Sequence, residues 1–282
     1  YQRRVRGILK DMESYEMLAQ ILVKAGITKE QINGAYDGQI IKGCLILTKT
    51  EYPIKAYQYR NDIKYVVAAN LIVVSELMFD SCFNLELVYA PMVYRTAHGF
   101  CEKKDGKNFR YGCFSKTALT AICFPRLRFA GSNSFYFCQK AIAVDLPLCE
   151  KVSNSAFESC TKIKIMNLPC VKAIGMGSFK QCSSMTDLII PAAKCVGINC
   201  ISCCMLLKYI KSCLKTRKFI CQGSECRTCP VCTKKIEACM QRVNELQNDE
   251  IEEQEELNED NNDYLEAQNN QLLEKLLSLT QK

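Results

Sequence analysis

Phe157, Cys160, Ile163, Met166 and Pro169 recur, shifted by 22 residues, as Phe179, Cys182, Met185, Leu188 and Pro191. A compact single core has no reason to repeat at fixed spacing. A solenoid does, because each unit is one supersecondary piece whose apolar face is buried only by its neighbours. The same frame runs upstream through Phe135, Cys138, Ala141, Val144 and Pro147. A copy one residue short holds Phe114, Leu119, Ile122 and Pro125; before it come Phe79, Cys82, Leu85, Val88 and Pro91, then a loose copy led by Tyr57. Downstream, Ile201, Cys204, Leu207, Ile210 and Cys213 form a decayed copy. That makes seven, with a weaker unit at 41–47 as an N-terminal cap.

Within each unit the segment before the proline, as in "IKIMNLP", alternates with period two and reads as a short strand, with Val88, Val144, Met166 and Leu188 facing inward. Proline cannot donate to a ladder and ends it. The "AFxxC" part reads as a tight turn or single helical turn on the far side, planting the phenylalanine inward.

The unit "AFESCTKIKIMNLPCVKAIGMG" resembles the BspA-like class of leucine-rich repeats, and the resemblance covers about residues 57–213. It implies an α/β solenoid, a right-handed superhelix with one short parallel strand per repeat, and a binding role without catalysis. The strand-flanking positions that would line its concave face are Leu87, Tyr89, Ala143, Asp145, Ile165, Asn167, Asp187, Ile189, Tyr209 and Lys211. Their mixture of aromatic, aliphatic and oppositely charged groups suits a protein partner better than a phosphate backbone.

Four segments follow. Residues 1–34 form an N-terminal helical cap: Met17, Leu18, Ile21 and Leu22 share a helical face, and Gly26 stops it. Residues 35–213 form the solenoid, with a polar loop insertion near 95–111. Residues 214–235 form a cysteine-rich basic hinge. Residues 236–282 form an acidic tail with helical periodicity at Ile236, Cys239, Val243 and Leu246, then at Leu265, Leu272, Leu276 and Leu279; a short coiled coil is expected there, in two heptad phases, with weak self-association. Charge follows the same division. Thr233–Lys282 carries 5 basic and 13 acidic residues, and the rest 32 and 17. The basic body raises a nucleic-acid-associated protein as the alternative reading, with Lys208, Lys211, Lys215, Arg217 and Lys218 clustered after the last repeat.

The 20 cysteines need an account. Cys82, Cys138, Cys160, Cys182 and Cys204 share one repeat position, where a free thiol acts as a small buried hydrophobe. The absence of any Asn-x-Ser/Thr sequon and the length of the chain argue against a secreted disulfide scaffold, so a cytoplasmic protein is expected. Beginning at Tyr1 rather than Met, the sequence leaves any preceding signal peptide open, and a cell-surface location with it. No run of apolar residues is long enough to span a bilayer. In "CQGSECRTCPVC", Cys221, Cys226, Cys229 and Cys232 have spacing that can close around zinc. Familiar zinc modules separate two C-x2-C pairs more widely, so a cysteine-rich linker is the preferred reading, with no metal or other cofactor, and zinc the minority one. His98 is the only histidine and falls in the insertion; no Gly-rich phosphate loop is present. No catalytic constellation emerges.

Overall fold

A computed structural model describes residues 14–104, 107–222 and 226–242. The chain coils as a parallel β-solenoid of about seven stacked turns. One face is built from strands Cys44–Ile46, Tyr65–Val67 and Leu87–Tyr89, then Ala121–Cys123 with Ala143–Asp145, then Ile165–Asn167, Asp187–Ile190 and Tyr209–Ser212. Pairing within these groups is parallel, and Ile165 opposite Asp187 opposite Tyr209 gives the 22-residue period directly as a ladder register. The inward residues, Val66, Val88, Ile122, Val144, Met166, Leu188 and Ile210, are all buried.

Six successive turns contain a second strand, where the sequence reading expects a single strand per repeat. Val73–Val74, Arg95–Thr96, Phe129–Ala130, Lys151–Val152, Ala173–Ile174 and Cys195–Val196 form a continuous six-stranded parallel sheet on another side of the coil. Two-residue strands carry no readable alternation, which is why the pattern escapes periodicity. A corner glycine follows several of them. A Cβ on Gly175 would lie 2.6 Å from the Asn154 backbone nitrogen, and one on Gly197 2.4 Å from that of Met176, so successive turns touch there. The repeats are thus strands and turns only, and the α part of the expected α/β class lies in flanking segments.

Between the sheets the "AFxxC" segment is a turn that drives its ring inward. Tyr57, Phe79, Phe114, Phe135, Phe157 and Phe179 stack one on the next, with centroids 5.1–6.0 Å apart from the Phe135–Phe157 pair to the Phe157–Phe179 pair. Beside this spine runs a row of thiols. Cys82, Cys138, Cys160, Cys182 and Cys204 each donate to the carbonyl of the preceding turn's anchor, Tyr57, Phe114, Phe135, Phe157 and Phe179, at 3.0–3.2 Å for the pairs from Cys82 to Cys182. Each of these carbonyls also accepts a bond within its own turn, so cysteine recurs because it is small and adds a donor that links the anchor to the next turn.

The N-terminal helix, Ser14–Ala25, ends where Gly26 takes φ +60 and Lys42 Nζ bonds the Gly26 carbonyl at 2.7 Å. It does more than cap the first turn. Met17, Ile21 and Ala25 pack on the outward face of the first strands, against Cys44, Ile46, Tyr65, Val67, Leu87 and Cys123. The insertion is likewise more ordered than a polar loop: Phe100–Lys104 pairs antiparallel with Lys107–Tyr111 as a hairpin, and the Asp105-Gly106 dipeptide was its sequence signal.

At the other end, described residues of the expected hinge take defined structure. Thr216–Lys218 is a 3-10 turn, Phe219 is buried, and Val231 and Ile236 pack on the core. The first residues of the expected tail also belong here: Ile236–Cys239 is one helical turn, and Met240–Arg242 adds a parallel strand beside Tyr209–Ser212. The remaining heptad positions, from Val243 to Leu279, lie outside the described residues.

Candidate functional site

In-register stacking sorts the ten candidate interface residues into two rows. One holds Leu87, Ala143, Ile165, Asp187 and Tyr209; the other holds Tyr89, Asp145, Asn167, Ile189 and Lys211. Leu87 is 1% exposed and Tyr89 partly buried, because the Ser14–Ala25 helix lies over both. Those two are occupied by the chain itself. Asp187 is also buried, taking a 2.6 Å bond from the Thr186 hydroxyl. Ala143, Asp145, Ile165, Asn167, Ile189, Tyr209 and Lys211 remain partly exposed. Burial raises the Asp145 carboxyl above its ordinary value, with the Cys123 thiol donating to it.

A second concavity was not legible in the sequence. Phe83, Phe109, Arg110, Lys116, Tyr136 and Phe137 line a groove of about 420 Å³ beneath the hairpin. Two of its cations, Arg110 and Lys116, are engaged. Arg110 pairs with Glu158 and bonds the Ser155 hydroxyl at 2.7 Å, while Lys116 lies 4.8 Å from the Tyr111 ring centroid. His98 accepts from the Ser132 amide at Nδ1 (3.1 Å), a loop-anchoring role.

The residues of "CQGSECRTCPVC" come together. The sulfurs of Cys221, Cys226, Cys229 and Cys232 all lie within 4.8 Å of one another. Thr233 closes the turn between Cys229 and Cys232, its amide and hydroxyl each bonding the Cys229 carbonyl at 3.0 Å. The Cys203 amide donates to Cys226 Sγ at 3.0 Å, tying the cluster to the last repeat. Burial opposes ionisation of Cys226, but the Ser202 hydroxyl and the amides of Cys229, Cys203 and Thr228 bring it down to about 5. Burial and the neighbouring sulfurs push Cys229 up to about 11 and Cys232 higher still. The Cys226 sulfur is among the groups that raise Cys229 and Cys232. These four thiols are the described residues that could hold a metal ion.

A parallel solenoid of 22-residue turns with a phenylalanine spine defines a leucine-rich-repeat architecture. Residues 107–222 match the BspA type leucine rich repeat region, in six copies, so the chain carries a BspA-type leucine-rich-repeat region. No curated protein matches the chain. Solved structures similar to it include a leucine-rich repeat protein from Bacteroides ovatus (14% identity, 67% of this chain and 64% of that one, TM-score 0.43). A leucine rich repeat protein of T. pallidum shares 20% identity over 65% of this chain and 69% of its own (TM-score 0.39). A leucine rich cell surface protein from Faecalibacterium prausnitzii shares 15% over 66% and 65% (TM-score 0.30). The chain thus spans under two thirds of the Bacteroides protein's length. Proteins with repeats of this kind are generally interaction or surface proteins and typically non-enzymatic. Among the described residues no helix is long and apolar enough to cross a membrane.

Proposed function

We propose that this chain is a non-enzymatic interaction scaffold, and that its protein partner docks on the outward strand face from Ala143 to Lys211. One observation carries the reading. The same face, over the first strands, already holds the amphipathic helix Ser14–Ala25 through Met17 and Ile21, so its shape and chemistry accept an apolar-faced segment. Farther along, Ile165 and Ile189 supply apolar contact, and Asp145, Asn167 and Lys211 supply direction at the edges. Self-association through the acidic C-terminal residues belongs to the same proposal, on the heptad spacing of Leu265, Leu272 and Leu279.

Affinity capture followed by mass spectrometry tests the face. Ile165→Arg with Ile189→Arg should abolish retention of partners while leaving the melting curve near wild type, since both side chains are partly exposed. Retention of the same partners by the double variant would refute the assignment. A mobility shift with generic DNA or RNA at moderate salt would favour the nucleic-acid alternative instead. Sedimentation of the full chain against a chain ending at Arg242 checks self-association, which is wrong if both stay monomeric at tens of micromolar.

A further inference from the structure

We propose that Cys221, Cys226, Cys229 and Cys232 hold a structural zinc ion that closes the C-terminal end of the solenoid. The site is separate from the proposed docking face and goes beyond that reading.

Geometry is the first support. A tetrahedral zinc with Zn–S bonds of about 2.3 Å places its four sulfurs roughly 3.8 Å apart. Here all four sulfurs are mutual neighbours within 4.8 Å, so each sees the other three, whereas bridging requires only pairs. The scaffold supplies the second. Cys226 and Cys229 are buried and Cys221 and Cys232 sit nearer the surface, leaving an entry path for the ion. The Cys203 amide already points at Cys226 Sγ, and Cys221 Sγ lies 3.4 Å from the Ser202 hydroxyl. In the second contact the Cys221 thiol is the donor; the Cys203 amide is a donor to sulfur, of the kind that orients a ligand and tempers its charge.

Chemistry is the third. Four thiols and one Zn²⁺ form four Zn–S bonds, and the thiol protons pass to solvent with no change in oxidation state. The product is dianionic, and Arg227, Lys234 and Lys235 lie in the same stretch of chain. A thiolate-only donor set selects zinc over the hard cations calcium and magnesium.

Position is the fourth. The last turn of a solenoid has no further repeat to cover it and needs a cap. The cluster lies between Phe219, buried in the core, and the closing segment in which Cys239 bonds the Leu207 carbonyl and Met240–Arg242 pairs with Tyr209–Ser212. An ion at this point cross-links the chain entering the cap to the chain leaving it.

The test uses full-length protein purified under reducing conditions without chelator. Elemental analysis should find about one zinc per chain, falling below roughly 0.2 in Cys226→Ser and Cys229→Ser and unchanged in Cys170→Ser. Should the serine variants fold poorly, cobalt(II) added to metal-stripped wild type should give the intense visible bands of a tetrahedral tetrathiolate site. Stripping should also raise hydrogen exchange at Tyr209–Ser212 and leave Tyr65–Val67 unchanged. Protein with no zinc and no cobalt spectrum overturns the proposal. So does a disulfide among the four cysteines in an unreduced peptide map, or iron with inorganic sulfide in place of zinc.

Discussion

Phe157 shows what one residue does in this fold. Its ring is fully buried and stacks on Phe135 and Phe179, 5.1 and 6.0 Å away, so it belongs to three turns at once. Phe157→Ala should cost about 3–5 kcal/mol, the range for buried Phe generally. Phe100→Ala, on the hairpin where the ring is 41% exposed, should cost well under half of that. Comparable urea midpoints for the two variants would be inconsistent with the spine. The thiols beside it set a pH dependence. Burial pushes Cys82, Cys138 and Cys182 up to about 12, and Cys160 and Cys204 well above the ordinary value. Above about pH 9 the unfolded chain has lost these protons while the folded chain keeps them, so stability falls as pH rises. Each thiol contributes a slope of about 1.4 kcal/mol per pH unit over that window, up to its folded value. Stability should be flat from pH 7 to about 8.5 and drop steeply by pH 10, and a Cys160→Ala, Cys182→Ala variant should lose part of that slope; denaturant titrations at the two pH values measure it.

The Ser14–Ala25 helix matters at the scale of elements because it uses the face that the rest of the solenoid leaves open. Ile21 is fully buried there, over Cys44. Ile21→Asp places a charge against that apolar surface, which is costly unless the helix lifts away. The helix is attached from outside, so it should undock without unfolding the turns beneath. Alkylation of native protein reads this out. Cys44 and Cys123 should become reactive in the variant while Cys160, in the interior of the coil, stays protected. Reaction at all three together would mean global unfolding, and at none would mean the helix does not cover the sheet.

Across the whole molecule, the repeat spacing determined the most. A Phe, a Cys and alternating aliphatics every 22 residues dictate stacked turns, because only neighbouring copies can bury them; the inward set from Val88 to Leu188 and the thiol row could be named residue by residue. The four-cysteine spacing announced that a metal site was possible. Other features were decided by contacts distant in sequence. The two-residue strands of the second sheet are too short to show a period, and Val152, Ile174 and Val196 become strands only by lying in register. An amphipathic helix tells that it will bury one face but not against what, so its place over Leu87 and Tyr89 was invisible until the sheet was formed. Likewise Ile236–Arg242 carries a helical pattern, yet the open edge at Tyr209–Ser212 offers backbone hydrogen bonds, and Met240–Arg242 takes them as a strand. The four sulfurs converge beside the last repeat, whose Cys203 amide bonds Cys226 Sγ, a contact across 23 residues that spacing does not reveal. Local pattern specified what each turn must bury, and tertiary structure decided what covers the faces and ends that repetition leaves open.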